Sequence, residues 1–343
     1  MIKVGIIGFG YAAKTFHLPL IESCPEFQLV AISSSQSGLT FEQHPALKIF
    51  PTALQLIQSN LVNLVVITSP NDSHFTLAEA ALASGLHVVI EKPMANTAAE
   101  AMALCNLAKR HQRVLTVFHN RRWDGDFMTV KQLIANDAVG ELRVFESHFD
   151  RFRPQVRDRW RENPGLGAGI WYDLGPHLVD QALELFGTPA SISARLKMLR
   201  EKSLNIDYFH VQLHYPQCEV ILHSSPFSAH PNLRFQLSGT RGSFIKIGLD
   251  PQETQLISGV QPSAAGYGIE TALAHGKLYT EDSNQTVSTL AGEYPAFYRA
   301  LAACINHGNA IPVDPVSAAQ VMHVIEHAVR ADREGLTLPF TAL

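Results

Sequence analysis

Through the first 120 residues, short apolar runs alternate with stretches in which apolar residues recur at helical spacing. Runs at 2–7, 27–32, 64–67, 87–90 and 114–118 are almost continuously apolar, as strands buried on both faces are. Helices are predicted between them: one from a glycine-rich turn toward Ser23, one from Ser73 as N-cap to a glycine cap at Gly85, and one over 97–111. Strands and helices alternating in this way fold as a doubly wound parallel sheet with right-handed crossovers.

The pattern changes at Leu142. Longer runs with rough in–out alternation predict strands of an antiparallel sheet over 142–153, 190–199, 206–215, 219–225, 233–238 and 243–247. Gly239-Thr240-Arg241-Gly242 is a hairpin turn signal. Helices are expected over 170–186, closed by Gly187, and near 294–306 and 315–333, whereas residues 250–290 read as an irregular excursion. Two domains follow, 1–120 and 121–343, each long enough to bury its own core.

Composition removes several function classes. Lys plus Arg is 27 against 31 Asp plus Glu, a net charge of −4, so nothing draws the surface toward nucleic acid or an anionic membrane. There is no apolar run long enough to span a bilayer, and the first eleven residues, broken by Gly5, Gly8 and Gly10, are a strand and its turn rather than a leader. Cys24, Cys105, Cys218 and Cys304 are far apart with no paired spacing, which fits free thiols in a cytoplasmic protein.

The first strand runs into Gly8-Phe9-Gly10-Tyr11-Ala12-Ala13, a G-x-G-x-x-A turn opening a helix. Gly8 makes the turn, Gly10 lets the backbone approach a pyrophosphate, and Ala13 keeps the helix close to its strand, so phosphates meet free N–H groups. The second strand ends in Ser33-Ser34-Ser35, with Ser33 twenty residues after Ala13, where an NAD-specific site carries Asp or Glu. Serine hydroxyls can donate to a 2′-phosphate that a carboxylate would repel, which favours NADP, with NAD the alternative. The 87–90 strand leads into Glu91-Lys92-Pro93. Proline lacks an N–H and keeps Lys92 extended just outside the strand's carboxyl end, where open α/β sheets bind ligands. Lys92 is therefore a candidate catalytic cation; the plain alternative is a surface lysine before a turn.

In the second domain Gly165-Leu166-Gly167-Ala168-Gly169 approaches a helix carrying Asp173 and His177, four residues apart and so on one face. A carboxylate there can orient an imidazole that takes or gives a proton near neutral pH, although capping and a surface ion pair would leave the same spacing. Asp180 lies near the same face, and Trp171 and Tyr172 look like a pocket wall. Arg151, Arg153, Arg157, Arg159 and Arg161, interleaved with Asp150, Asp158 and Glu162, read as a salt-bridged loop. No metal is expected: His210 and His214 would stand about 13 Å apart on a strand, and His119, His148 and His223 show no partner pattern.

With these motifs in order, the whole chain resembles the glucose-fructose oxidoreductase, inositol dehydrogenase and rhizopine catabolism (Gfo/Idh/MocA) family. His119-Asn120-Arg121-Arg122-Trp123-Asp124 with Trp171-Tyr172-Asp173 is similar to the branch containing NADP-dependent scyllo-inositol dehydrogenases. The resemblance implies an N-terminal Rossmann domain and a C-terminal domain whose large, mostly antiparallel open sheet is covered by helices on one face. It implies Lys92 near nicotinamide and substrate, His177 as general acid/base and Asp173 as its helper. Cofactor contacts are expected from the glycine turn, the serines, Thr68, Ser69, Pro70, Asn71, His74, Glu91, Lys92 and Asn120. A polyol, cyclitol or sugar would contact Lys92, Trp160, Trp171, Tyr172, Asp173 and His177. Pairing into a homodimer or homotetramer through the C-terminal sheet is also implied. Relatives that cleave glycosides through transient oxidation, or a dinucleotide sensor without turnover, are the rival readings.

Overall fold

The computed structural model describes residues 1–36, 46–157, 162, 165 and 167–343. Its strands, in chain order, are β1 (Ile2–Ile7), β2 (Phe27–Ser33), β3 (Lys48–Phe50), β4 (Leu64–Ile67), β5 (His87–Ile90), β6 (Leu115–Val117), β7 (Leu142–His148), β8 (Ser191–Lys197), β9 (Tyr208–His214), β10 (Glu219–Ser224), β11 (Leu233–Gly239), β12 (Ser243–Ile247), β13 (Gly276–Tyr279), β14 (Asn284–Val287) and β15 (Leu338–Pro339). The α-helices are α1 (Leu18–Glu22), α2 (Ala53–Ile57), α3 (His74–Ala83), α4 (Ala98–His111), α5 (Gly125–Ala135), α6 (Ile170–Phe186), α7 (Gln252–Ile257), α8 (Pro295–His307) and α9 (Pro315–Glu334). No described helix is long and apolar enough to cross a membrane.

One compact unit comprises Met1–Asn120, Gln252–Tyr267 and Glu293–Met322. Its six parallel strands lie in the order β3-β2-β1-β4-β5-β6, the Rossmann order, which puts the reversal of winding between β1 and β4. β1, β4 and β5 are apolar because helices cover both faces, and Val4, Ile6, Val65, Val66, Val88 and Val89 are fully buried. Thr97 caps α4 in a box with Glu100, each side chain taking the other's backbone N–H. Gly85, at φ +78°, closes α3 and lets Leu86 donate back to the Ala81 carbonyl at 3.0 Å. Ser73 does not cap α3: a 3₁₀ turn over Asn71–Ser73 precedes the helix, and the Ser73 hydroxyl turns to the Pro70 carbonyl. The helix after the glycine turn starts as a π-helical turn over Ala13–His17 before α1. α8 completes this core with aromatic edges: Phe297 on Phe118 at 5.0 Å between ring centres and Tyr298 on Phe27 at 5.5 Å.

The other unit comprises Arg121–Pro251, Gly268–Gly292 and His323–Leu343. Its sheet runs β14-β13-β12-β11-β7-β10-β9-β8-β15, antiparallel except where β10 lies parallel to β7. Strand alternation sends Phe209, Val211, Val220 and Leu222 inward, with Trp171 of α6 against Phe209 at 4.8 Å. The opposite face carries half-buried Glu146, His148, His210 and His223. Two expectations are corrected here. β7 stops at His148 rather than running to residue 153, because Asp150 takes the Ser225 N–H on its side chain and only a single bridge, Phe152 to Phe227, follows. Residues 250–290 are also less irregular than expected: α7 lies there, and β13 and β14 extend the sheet edge. Those strands are short, and β14 is mostly exposed, so they leave almost no apolar alternation to read.

Candidate active site

The glycine turn is held at the ends of β1 and β4. Gly8 has φ +85°, and a Cβ there would stand 3.1 Å from the Ser69 nitrogen, so only glycine fits. Its N–H donates to the Ser33 carbonyl at 3.0 Å. The Thr68 hydroxyl reaches the carbonyls of Ile7 (3.1 Å) and Gly8 (2.8 Å) and clamps the turn from the β4 side. A Cβ on Gly10 would meet nothing within 4 Å, leaving open space over the helix start, the room a pyrophosphate needs. Phe9 and Ala13 are buried behind the turn, Ala12 is half-buried, and exposed Tyr11 donates to Glu253 Oε1 at 2.9 Å. The residues present therefore fit a dinucleotide. At the end of β2, Ser33 is 3% exposed, so among the three serines Ser34 and Ser35 turn more surface to solvent.

Beside the turn, Ser69 shares a 2.6 Å hydroxyl contact with Ser73, and Pro70 and Asn71 start the 3₁₀ turn. His74, expected among the cofactor contacts, is fully buried: Nδ1 lies 2.8 Å from the Pro93 carbonyl and Nε2 3.0 Å from that of Ser69. It braces the loop after β4 to the loop after β5. Asn120 is buried at the start of a 3₁₀ turn following β6.

Lys92 follows β5 directly, half-buried, and its backbone N–H donates to Glu91 Oε2 at 3.0 Å. The other Glu91 oxygen is 3.0 Å from His17 Nε2, and His17 Nδ1 is 2.7 Å from the Tyr298 hydroxyl. An Nε2–H tautomer satisfies both, donating to Glu91 and accepting from Tyr298. Burial, then the charge of Glu91, pushes the Tyr298 hydroxyl well up, which keeps it a donor. Sequence reading missed His17 and Tyr298, which are 281 residues apart and come together only in the fold. Burial works to raise the Glu91 pKa, but the His17 hydrogen bond and the Lys92 charge outweigh it and hold the carboxyl below its ordinary value. A folded pKa below the unfolded one stabilises fully above the unfolded value and is lost as pH falls through the folded one. Replacing His17 by leucine is therefore expected to move the acid-unfolding midpoint, followed by circular dichroism, to higher pH. It should also cost about 1–3 kcal/mol at neutral pH, the penalty of a buried acceptor left unpaired. Coincident midpoints would remove the pair from any role in stability.

In the other unit, Gly169 at φ +85° leads into α6, and a Cβ on Gly175 would stand 2.6 Å from the Trp171 ring. Pro176 inside the helix has no N–H to offer the Tyr172 carbonyl one turn back. Asp173 is half-buried and His177 7% exposed, one turn apart on the continuous helix. Tyr172 is half-buried, and burial, reinforced by Glu326, raises its pKa. Trp171, expected to wall the substrate pocket, is instead a core residue: it is fully buried, its Nε1–H donating to the Ile325 carbonyl at 3.1 Å. Trp160, with Arg159 and Arg161, lies outside the described residues. Asp180 pairs in bidentate fashion with Arg122 at 2.6 and 2.8 Å. In the arginine-rich loop, Glu162 pairs with Arg200 from beyond the loop, and Asp150 contacts His148 and His223.

Family models agree with this architecture over most of the chain. The oxidoreductase family, NAD-binding Rossmann fold, matches residues 2–119, and the oxidoreductase family, C-terminal alpha/beta domain, matches residues 131–340. The Escherichia coli "Uncharacterized oxidoreductase YdgJ" is 46% identical over 339 residues, 98% of each chain. The Bacillus subtilis "scyllo-inositol 2-dehydrogenase (NADP(+)) IolW" is 35% identical over 341 residues, 98% of this chain and 95% of that one. Among solved structures, the oxidoreductase yvaA from Bacillus subtilis superimposes with a TM-score of 0.95 at 34% identity, covering 99% of this chain and 98% of that one. With a glycine turn that fits a dinucleotide and these matches along nearly its whole length, the chain belongs to the Gfo/Idh/MocA family of oxidoreductases, built from an NAD-binding Rossmann domain and the family's C-terminal alpha/beta domain.

Proposed function

We propose that the protein transfers a hydride between NADP(H) and a secondary alcohol or ketone of a cyclitol or sugar in the cytoplasm. The observation that carries this reading is that one chain holds both an open Gly10 turn, with no acidic side chain at the end of β2, and an aspartate and a histidine, Asp173 and His177, one turn apart on α6. A relative named for NADP⁺-dependent scyllo-inositol oxidation supports the substrate class. Nicotinamide, when bound, exchanges the hydride. His177 takes the hydroxyl proton as the C–H bond breaks, Asp173 holds the imidazole tautomer, and the Lys92 ammonium donates to the developing alkoxide. Initial-rate reduction of NADP⁺ and NAD⁺ over inositol isomers, hexoses and pentoses tests the proposal. Turnover of a cyclitol or sugar with NADP⁺ supports it, and silence with every alcohol and every corresponding ketone overturns it.

Cofactor choice has its own test. Ser34→Asp places a carboxylate where the 2′-phosphate would lie. It is expected to raise KM for NADP⁺ at least about tenfold, the equivalent of about 1.4 kcal/mol of like-charge repulsion, and to leave KM for NAD⁺ unchanged or lower. An unchanged KM ratio would remove the serines from cofactor selection. Homo-oligomerisation through the uncovered face of the C-terminal sheet is part of the same proposal, supported by the apolar Ile221, Ile245 and Ile247 on that face, and sedimentation velocity of Ile245→Asp tests it.

A further inference from the structure

On the face of the sheet opposite α6, cross-strand register assembles a cluster that spacing along the chain conceals. His148 is the register partner of His223 in the parallel β7–β10 pair, and His223 in turn faces His210 across β9. The ring centres of His148 and His223 are 4.9 Å apart, and those of His210 and His223 are 5.9 Å apart. Asp150, two residues beyond His148 and with only 6% of its side chain exposed, brings its carboxylate between the first two. Oδ2 is 3.4 Å from His148 Nδ1 and Oδ1 is 2.9 Å from His223 Nδ1.

We infer that His148 Nδ1, His223 Nδ1 and an Asp150 carboxylate oxygen form a binding site for a divalent transition-metal ion of the zinc class. The three ligand atoms lie within 4.8 Å of one another. Two ligands about 2.0–2.1 Å from zinc at the tetrahedral angle stand about 3.3–3.4 Å apart, so an ion fits with small side-chain shifts. Two imidazoles and one carboxylate suit zinc and its neighbours better than calcium or magnesium, which take all-oxygen sets. Three further observations support an ion. Glu146 Oε2 is 3.0 Å from His148 Nε2, the outer carboxylate that fixes a ligating histidine with its other nitrogen facing the metal. His223 Nδ1 already lies 2.9 Å from Asp150 Oδ1, so one carboxylate draws both imidazoles together before any ion enters. The backbone also presets the ligands: the Asp150 N–H donates to Asn232 Oδ1, Asn232 Nδ2 donates to the His148 carbonyl, the Phe149 N–H donates to the His223 carbonyl, and Ser225 donates to Asp150 Oδ1. The fourth position is left to water or to His210. Because α6 packs on the other face, this site is separate from Asp173 and His177.

The test is calorimetric titration of zinc into the full-length, chelator-treated protein. One zinc per chain is expected. Asp150→Asn and His223→Gln should each weaken binding by more than Glu146→Gln, for which a loss of about 10–100-fold is expected. The melting midpoint of each variant in chelator reports whether it folds. Cobalt titration of the unaltered chain is a second readout that needs no variant: intense visible bands of a low-coordinate site support the proposal. Absence of saturable zinc binding, zinc affinity untouched by the ligand variants, or only the pale spectrum of hydrated cobalt overturns it and leaves His148 ion-paired between two carboxylates.

Discussion

His177→Ala is expected to lower kcat by about 10²–10⁴-fold, the range for removing a general acid/base, while dinucleotide binding followed by fluorescence stays within a few-fold. The imidazole is 7% exposed on a helix fixed at Gly169 and packed through Trp171, so its removal trims the site without loosening the element that bears it. Lys92→Met keeps the length of the side chain and removes its charge; about 10²–10³-fold in kcat is expected, as for a donor to a developing oxyanion. The pH profile separates the roles: the limb contributed by an essential imidazole disappears in His177→Ala and survives in Lys92→Met. Near wild-type turnover in both variants would falsify the assignment.

The second large effect is on stability. Arg234 is fully buried, and its guanidinium donates to Ser147 Oγ at 2.7 Å and Gln181 Oε1 at 2.6 Å, stacks over the Phe235 ring at 4.0 Å, and faces Asp126 at 3.7 Å. Gln181 carries the network onward to the Arg121 carbonyl at 2.7 Å. Arg234→Met fits the volume and removes the cation, which leaves the 1% exposed Asp126 charge in the core without its counterion. Breaking a buried pair from one side costs about 3–5 kcal/mol. Urea unfolding should show that loss in the transition of the C-terminal sheet. Adding Asp126→Asn should recover part of it, the sign of direct coupling. A loss below about 1 kcal/mol, or strict additivity of the two changes, would mean that the charges do not interact.

The parallel sheet was legible because each of its longer strands is a continuous apolar run, and the Gly8 turn, the position of Lys92 at the end of β5 and the helix α6 were legible because their signals are local: a turn that only glycine fits, a proline after a strand, and a glycine at either end of a helical run. What escaped depends on neighbours distant in sequence. The His17 imidazole is defined by Tyr298 and Glu91, and the His148–His223 pair by a parallel register between β7 and β10. Trp171 misled for a related reason: next to a candidate acid it reads as a pocket wall, but the 0, 3, 4 periodicity of α6 turns it toward Ile325 and Phe209. His74 likewise sits in a binding loop by sequence and inside it by structure.

The unit that holds the glycine turn draws Gln252–Tyr267 and Glu293–Met322 from far down the chain. During synthesis on the ribosome, Met1–Asn120 therefore emerges with its six-stranded sheet complete but with Phe27, Phe118 and His17 still lacking the α8 side that covers them. That apolar face stays bare until α8 has been made, a window in which it is open to non-native apolar contacts. A gene fragment ending at Asn120 would never leave that window, so the nucleotide-binding half cannot be harvested as a free-standing module by cutting where its last strand ends.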